Sequence, residues 1–248
     1  MTVLVVIPAR IGSKGIYRKN IKDFAGYPLI AWSIAAAQKA TLVDNIIVTT
    51  DSVEIKEVAE AYGAPVILRP AWLGDDQTHD IDVFKNVLEH SWNEPPEVLV
   101  QLRPTSPIRP YRMVDEAIKA LLARQDASSV RSVAPSIQNP FKSWKVEYGR
   151  MVNITSPFDS EVSNKPRQIL PLTYWQTGHI DVMRTERTIY RGVMSGDIIV
   201  PYFTDWRYVA DLDNIDQWGK AELRVNEMTF SKPVEYRLND IVRPKERK

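Results

Sequence analysis

The chain has no cysteine and only three histidines among its 248 residues. Without thiols it cannot build a disulfide scaffold, an iron–sulfur cluster or a thiolate nucleophile, and the composition fits a reducing cytoplasm. An excess of charge is also missing, since 32 Lys and Arg stand against 31 Asp and Glu. Proteins that hold nucleic acid by bulk electrostatics carry a clear basic surplus, so no nucleic-acid partner is expected. No apolar run approaches the roughly 20 residues of a membrane span, so no membrane partner is expected. Residues 1–7 lack the basic and apolar regions of a secretory leader. With 44% hydrophobic and 25% charged residues, the composition is that of a globular protein. A chain of this length can bury enough surface to fold without a structural metal. The expectation is one cytoplasmic domain over residues 1–248 with an inserted subdomain.

What is present is a strong alternation of strand and helix. Residues 2–7 form a continuous β-branched run, the mark of a strand buried on both faces of a parallel sheet. Similar runs occupy 45–50, 66–68 and 98–102. Helical spacing of apolar residues fills 29–40, 52–62, 81–92 and 114–122. This predicts an α/β fold, a mostly parallel sheet with helices on both faces. The rhythm breaks between Pro135 and Arg191, where five prolines and short alternating pieces (143–148 and 179–183) stand instead of helices. Residues 136–191 are expected to be an inserted antiparallel subdomain. A strand at 198–203, a last helix at 215–228 and a frayed charged tail at 243–248 complete the reading.

In open parallel sheets, ligands sit beyond the carboxyl ends of the strands. Beyond the first strand lies Pro8-Ala-Arg-Ile-Gly-Ser-Lys-Gly-Ile-Tyr-Arg-Lys-Asn20. Between Arg10 and Lys22 there are five cations and no acid, and Gly12 and Gly15 allow an anion close to the backbone. The spacing is neither a Walker loop nor a dinucleotide fingerprint, which leaves a triphosphate cradle of another kind or a solvated basic loop. A second cluster, Gln101-Leu-Arg103-Pro104-Thr105-Ser106-Pro-Ile-Arg109, also follows a buried strand. Arg103 offers a fork for phosphate or carboxylate, and the hydroxyls offer hydrogen bonds or a helix cap. Asp211 and Asp213 lie at i and i+2, where extended carboxylates point the same way, as a hard cation requires. Asp213-Asn214 could equally cap the last helix. Asp80, beside His79, reads as a helix cap. No nucleophile-elbow motif supports Ser/His/Asp hydrolysis.

In order, the motifs 8–21, Pro28-Leu-Ile, Val48-Thr-Thr-Asp51, Leu68-Arg-Pro-Ala71, Arg103-Pro-Thr-Ser-Pro-Ile-Arg109, Pro166-Arg-Gln-Ile-Leu-Pro171 and Asp211-Leu-Asp213 resemble those of the acylneuraminate cytidylyltransferases over nearly the whole length. The resemblance implies a Rossmann-like nucleotidyltransferase sheet whose insert at 136–191 covers the sugar pocket and makes a homodimer contact. It implies that Arg10, Gly12, Ser13, Lys14 and Lys19 hold the triphosphate, with Arg69, Arg103, Pro104, Thr105 and Ser106 on the nucleotide. Gln101, Arg103, Lys142, Arg167, Tyr174, Gln176 and His179 would surround an acidic sugar, and Asp211 and Asp213 would bind Mg²⁺. The chain departs from the family pattern at Tyr17, where Pro is usual, and at Arg103, where Gln is usual. Residues 174–181 stand where the family has a segment like Asn-Gly-Ala-Ile-Tyr.

The expected reaction is in-line attack of a sugar hydroxyl on the α-phosphorus of a nucleoside triphosphate, CTP being favoured. Arg10, Lys14 and Lys19 would stabilise the leaving pyrophosphate, and Asp211 or the metal would serve as base. A guanylyltransferase of an amino-sugar 1-phosphate, or a nucleotide-binding module without turnover, is the alternative.

Overall fold

A computed structural model describes residues 1–90 and 95–230, without the side chains of 228–230. The expected tail at 243–248 and the end of the expected 81–92 helix lie outside these residues.

The run read as the first strand is β1 (Val3–Ala9). Its side chains alternate between two cores: Val3, Val5 and Ile7 face one layer, and Leu4 and Val6 face the other. This explains the absence of polar alternation, because both faces are covered. A short hairpin, β2 (Asp23–Phe24) and β3 (Tyr27–Pro28), leads into α1 (Leu29–Lys39). Then come β4 (Asn45–Thr50), α2 (Val53–Ala61), β5 (Val66–Leu68), α3 (Asp80–Glu89) and β6 (Val98–Gln101). Ser52 starts α2, its hydroxyl accepting from the Ile55 N–H at 3.4 Å. After α4 (Met113–Ala123) come β7 (Ser129–Pro135), the hairpin β8 (Trp144–Glu147) and β9 (Arg150–Asn153), and β10 (Tyr174–Arg184). The chain continues through β11 (Ile199–Phe203) to α5 (Ile215–Phe230). Tyr148 and Gly149, with φ of 49° and 75°, make the tight turn between β8 and β9.

The central sheet has the order β11-β7-β10-β6-β1-β4-β5. Its strands run parallel except β10, which is antiparallel to both β6 and β7. Side chains of α1, α2, α4 and α5 pack into the larger core, and Phe84 and Val87 of α3 into the smaller one, so helices do cover both faces. Among the described residues no helix is long and apolar enough to cross a membrane.

The stretch expected as an insert divides in two. Residues 136–173 leave the sheet as 3-10 turns and the β8–β9 hairpin. The rest is not peripheral up to Arg184, because β10 is an inner strand of the main sheet. Thr177, His179 and Asp181 are buried there and break the apolar run, which makes an inner strand read as a half-exposed one. The β10 register shifts against β7 between Gln176 and Asp181, a bulge containing Gly178 at φ 73°.

Candidate active site

The connection from β1 runs outward to β4 on one side, and β6 returns to lie on its other side. This is a topological switch point, where two crossovers diverge and leave a crevice beyond the strand ends. A cavity of about 570 Å³ opens there, walled by Arg10, Lys14, Lys19, Arg69, Asp80 and Arg103 among others.

The loop after β1 is fixed from several directions. The Ile11 N–H donates to Asp51 Oδ1 at 3.0 Å, and Asn20 Nδ2 donates to the Arg10 carbonyl at 2.8 Å. Lys19 Nζ reaches the Leu212 carbonyl at 2.7 Å and Asp213 Oδ1 at 3.2 Å. One lysine thus joins the cationic loop to the carboxylate pair across most of the sequence. Arg10 and Lys14 both pair with Asp76 at 2.5 Å. The hydrogen bond from Lys14 and the Arg10 contacts hold the Asp76 carboxyl below its ordinary pKa.

Arg69 is buried against the strand ends, its Nη1 donating to the Thr49 carbonyl at 3.2 Å. Burial lowers its pKa, and its Nε has no hydrogen-bond partner among the described residues. At the floor, Arg103 Nη1 donates to Asp181 Oδ2 at 2.7 Å and Nη2 to Asp80 Oδ2 at 2.8 Å. Gln101 Nε2 joins at Asp80 Oδ2, 3.0 Å away. Arg131 closes the network, with Nε on Asp181 Oδ1 at 2.9 Å and Nη1 on Gln176 Oε1 at 3.1 Å. Asp80 is therefore no helix cap: it is the first residue of α3, and both its acceptor contacts face the floor.

A second cavity of about 380 Å³ shares Arg103, Thr105 and Asp213 with the first and adds Ser106, Gln176 and Asp211. The Leu212 N–H donates to the Thr105 carbonyl at 3.0 Å, which ties the Asp-x-Asp segment to the turn after β6. Burial, then the charge of Asp213, pushes the Asp211 carboxyl above its ordinary pKa. The charge of Lys19, the Thr105 hydrogen bond and the charge of Arg103 oppose that shift without cancelling it, and a carboxylate crowded by a second one suits a hard divalent cation. Among the described residues no group of three or more His, Cys, Asp or Glu is arranged to hold a metal. The protein would supply two carboxylates, leaving the other positions to water and phosphate oxygens. The α5 cap is Asn214, whose Oδ1 accepts from the Gln217 N–H at 2.9 Å, so both aspartates are released from that task.

The two cavities thus gather Arg10, Ser13, Lys14, Lys19, Arg69, Gln101, Arg103, Pro104, Thr105, Ser106, Gln176, Asp211 and Asp213. Five expected residues line neither. Gly12 is exposed, and Lys142 Nζ is spent on the Ser163 and Lys165 carbonyls at 2.6 and 2.9 Å. Arg167 is exposed in a 3-10 turn, and the Tyr174 ring packs edge-on against Phe203. His179 is fully buried, with Nε2 2.9 Å from the Tyr208 carbonyl, and burial followed by the charge of Arg109 lowers its pKa to about 4. It is a structural histidine of β10. Sequence reasoning missed Asp76, Asp80, Asp181 and Arg131. Asp76 and Asp80 could have been found by inspecting the segment beyond β5 as closely as those beyond β1 and β6.

Comparison with known proteins agrees with this geometry. Residues 4–191 match the family described as Cytidylyltransferase. The N-acylneuraminate cytidylyltransferase of Escherichia coli is 30% identical over 217 residues, 86% of this chain and 49% of that protein. The CMP-N,N'-diacetyllegionaminic acid synthase of Legionella pneumophila is 34% identical over 164 residues, 63% of this chain and 67% of that protein. The chain spans about half the length of several curated relatives it matches. Among solved structures, a CMP:2-keto-3-deoxy-manno-octonic acid synthetase complexed with CTP superposes with a TM-score of 0.67 at 16% identity, covering 92% of this chain and 99% of that one. That likeness establishes the fold. With the family match over three quarters of its length and residues of the 8–21, 103–109 and 211–213 motifs gathered around one crevice, the chain belongs to the cytidylyltransferase family of nucleotidyltransferases.

Proposed function

We propose that the chain transfers the cytidylyl group of CTP to an acidic nonulosonic-type sugar, of the sialic or legionaminic kind, giving a CMP-sugar and pyrophosphate. The observation that carries this is the contact of Lys19 with Leu212 and Asp213, which sets three cations of the loop, Arg10, Lys14 and Lys19, beside Asp213 in one cavity, with Asp211 in the adjoining one. Anion-binding and cation-binding groups side by side are what a metal–triphosphate needs.

The sugar's anomeric hydroxyl attacks the α-phosphorus in line, and the bond to the β-phosphate oxygen breaks. Arg10, Lys14 and Lys19 bind the departing pyrophosphate and stabilise its growing charge. Asp76 holds Arg10 and Lys14 until the triphosphate takes its place. Arg69 and the Pro104–Ser106 turn orient the nucleotide. Asp211 and Asp213 would hold a divalent cation such as Mg²⁺, which neutralises phosphate charge and acidifies the attacking hydroxyl. The chain's own groups contribute mainly positioning and charge.

The chain works as a homodimer in the cytosol, with the segment 136–173 at the dimer contact. Exposed Val146, Tyr148, Met151 and Phe158 on and beside the β8–β9 hairpin support the dimer contact.

Pyrophosphate release tests the reading, with CTP and GTP each offered against nonulosonic acids and hexosamine 1-phosphates, with and without Mg²⁺. Release with CTP and an acid, dependent on the metal, is expected. Release only with GTP and a sugar phosphate sinks it, and nucleotide binding without any release points to a binding module.

A further inference from the structure

The floor of the larger cavity is a lattice of four charges that sum to zero: Arg103 and Arg131 against Asp80 and Asp181. Asp181 is 1% exposed and spends both oxygens on the two arginines, so it is closed to ligands. Asp80 differs, for its side chain is 43% exposed and lines the cavity. Both donors that reach it, Gln101 and Arg103, end on Oδ2, and its Oδ1 is left to accept from a ligand.

We propose that Asp80, and not Arg103, is the residue of this floor that meets the sugar, accepting from one of its hydroxyl or amide N–H groups. Arg103 is then a positioning residue that holds Asp80 in place. The inference rests on the reading of the site as sugar-activating.

Three observations carry it. First, an anion brought to Arg103 would lie against two carboxylates already paired with it, and like charges at such distances repel strongly in a partly buried site. The sugar carboxylate therefore binds elsewhere. Second, burial would raise the Asp80 pKa, but the Arg103 charge and the bonds from Gln101 and Arg103 outweigh it and hold the carboxyl below its ordinary range. An ionised carboxylate only accepts, so its complement is an O–H or N–H group. Third, Arg103 lines both chambers, so the floor that carries Asp80 lies where the two meet. A neutral site that demands a donor selects among acidic sugars by their hydroxyl and acylamino pattern, not by their common carboxylate.

The test uses Asp80→Asn, in which the amide oxygen stays on Arg103 and the NH₂ group turns to the cavity, replacing an acceptor with a donor. Steady-state pyrophosphate release is measured with CTP and N-acetylneuraminate or N,N'-diacetyllegionaminate, alongside calorimetric titration of each acid into the full chain. The expected result is a sugar KM and dissociation constant raised about tenfold or more, the loss of one hydrogen bond to a charged group, with the CTP KM within about twofold. Sugars with single hydroxyl or amide groups blocked by methylation should show one position that weakens the wild type and not the variant. If Arg103 grips the sugar carboxylate directly, freeing it from Asp80 tightens sugar binding, and that result overturns the proposal. So does a rise in the CTP KM alone. A wild type that binds the acids without releasing pyrophosphate overturns the cytidylyl reading while the titrations still decide the role of Asp80. A wild type that binds none of the acids overturns both.

Discussion

Gly15 lies against the main-chain carbonyl of Asp213: a methyl group added at Gly15 would stand 1.9 Å from that oxygen. The cationic loop and the Asp-x-Asp segment therefore touch through backbone as well as through Lys19. Gly15→Ala must push the two apart. Overpacking of this kind costs about 1–3 kcal/mol, so the thermal midpoint should fall, and pyrophosphate release should fall further than stability does. Calorimetry and a turnover assay on the same preparation check both.

Lys14 is 82% exposed and pairs only with Asp76 among the described residues. Exposed pairs contribute little to stability, so Lys14→Ala should leave the midpoint unchanged. Removing one positioned charge from a transition state costs about 2.7–4 kcal/mol, which is a loss of hundreds-fold in kcat/KM for CTP. A folded Lys14→Ala with near-normal turnover would remove this lysine from the triphosphate cradle.

Arg109 is fully buried and acts as a rivet beneath the site. It donates to the His179 carbonyl at 2.9 Å, to Ser33 Oγ at 3.0 Å and to the Arg103 carbonyl at 2.6 Å. Arg109→Met leaves these acceptors without their donor in the core, at about 1–3 kcal/mol for each group left unsatisfied. Urea denaturation should show a loss of several kcal/mol, against less than 1 kcal/mol expected for a surface pair such as Arg124 with Asp126.

His179 sets a pH dependence of stability. Its folded pKa of about 4 lies below the ordinary histidine value of 6.5, so the unfolded chain takes up a proton that the folded one refuses. Stability from this group is complete above about pH 6.5 and is lost progressively as pH falls towards about 4. At 1.36 kcal/mol per unit the total is about 3 kcal/mol. His179→Gln should flatten this part of the stability profile in denaturation series between pH 4 and 7. An unchanged slope would show that other groups govern it.

Much of this was legible in the residues. The Val3–Ile7 run marked an inner parallel strand, and the rule that ligands sit beyond such strands pointed to Arg10, Lys19 and Arg103. What escaped had physical causes. β10 hid because its Thr177, His179 and Asp181 are buried, Asp181 being paired with Arg131 of β7 and Arg103 of the turn after β6, which no local pattern reveals. Asp80 resembled a cap because acids at helix starts usually are caps, whereas its partners come from β6. Lys142, Arg167 and His179 matched motif positions, but matching a motif does not say where a side chain points.

The most direct measurement is the phosphorus NMR spectrum of the product made from CTP and N-acetylneuraminate. The account predicts one phosphodiester resonance, the single phosphate of a CMP-sugar, rising together with free pyrophosphate. A pair of coupled diphosphate resonances obtained only from GTP and a sugar 1-phosphate, with no reaction of CTP, would contradict it.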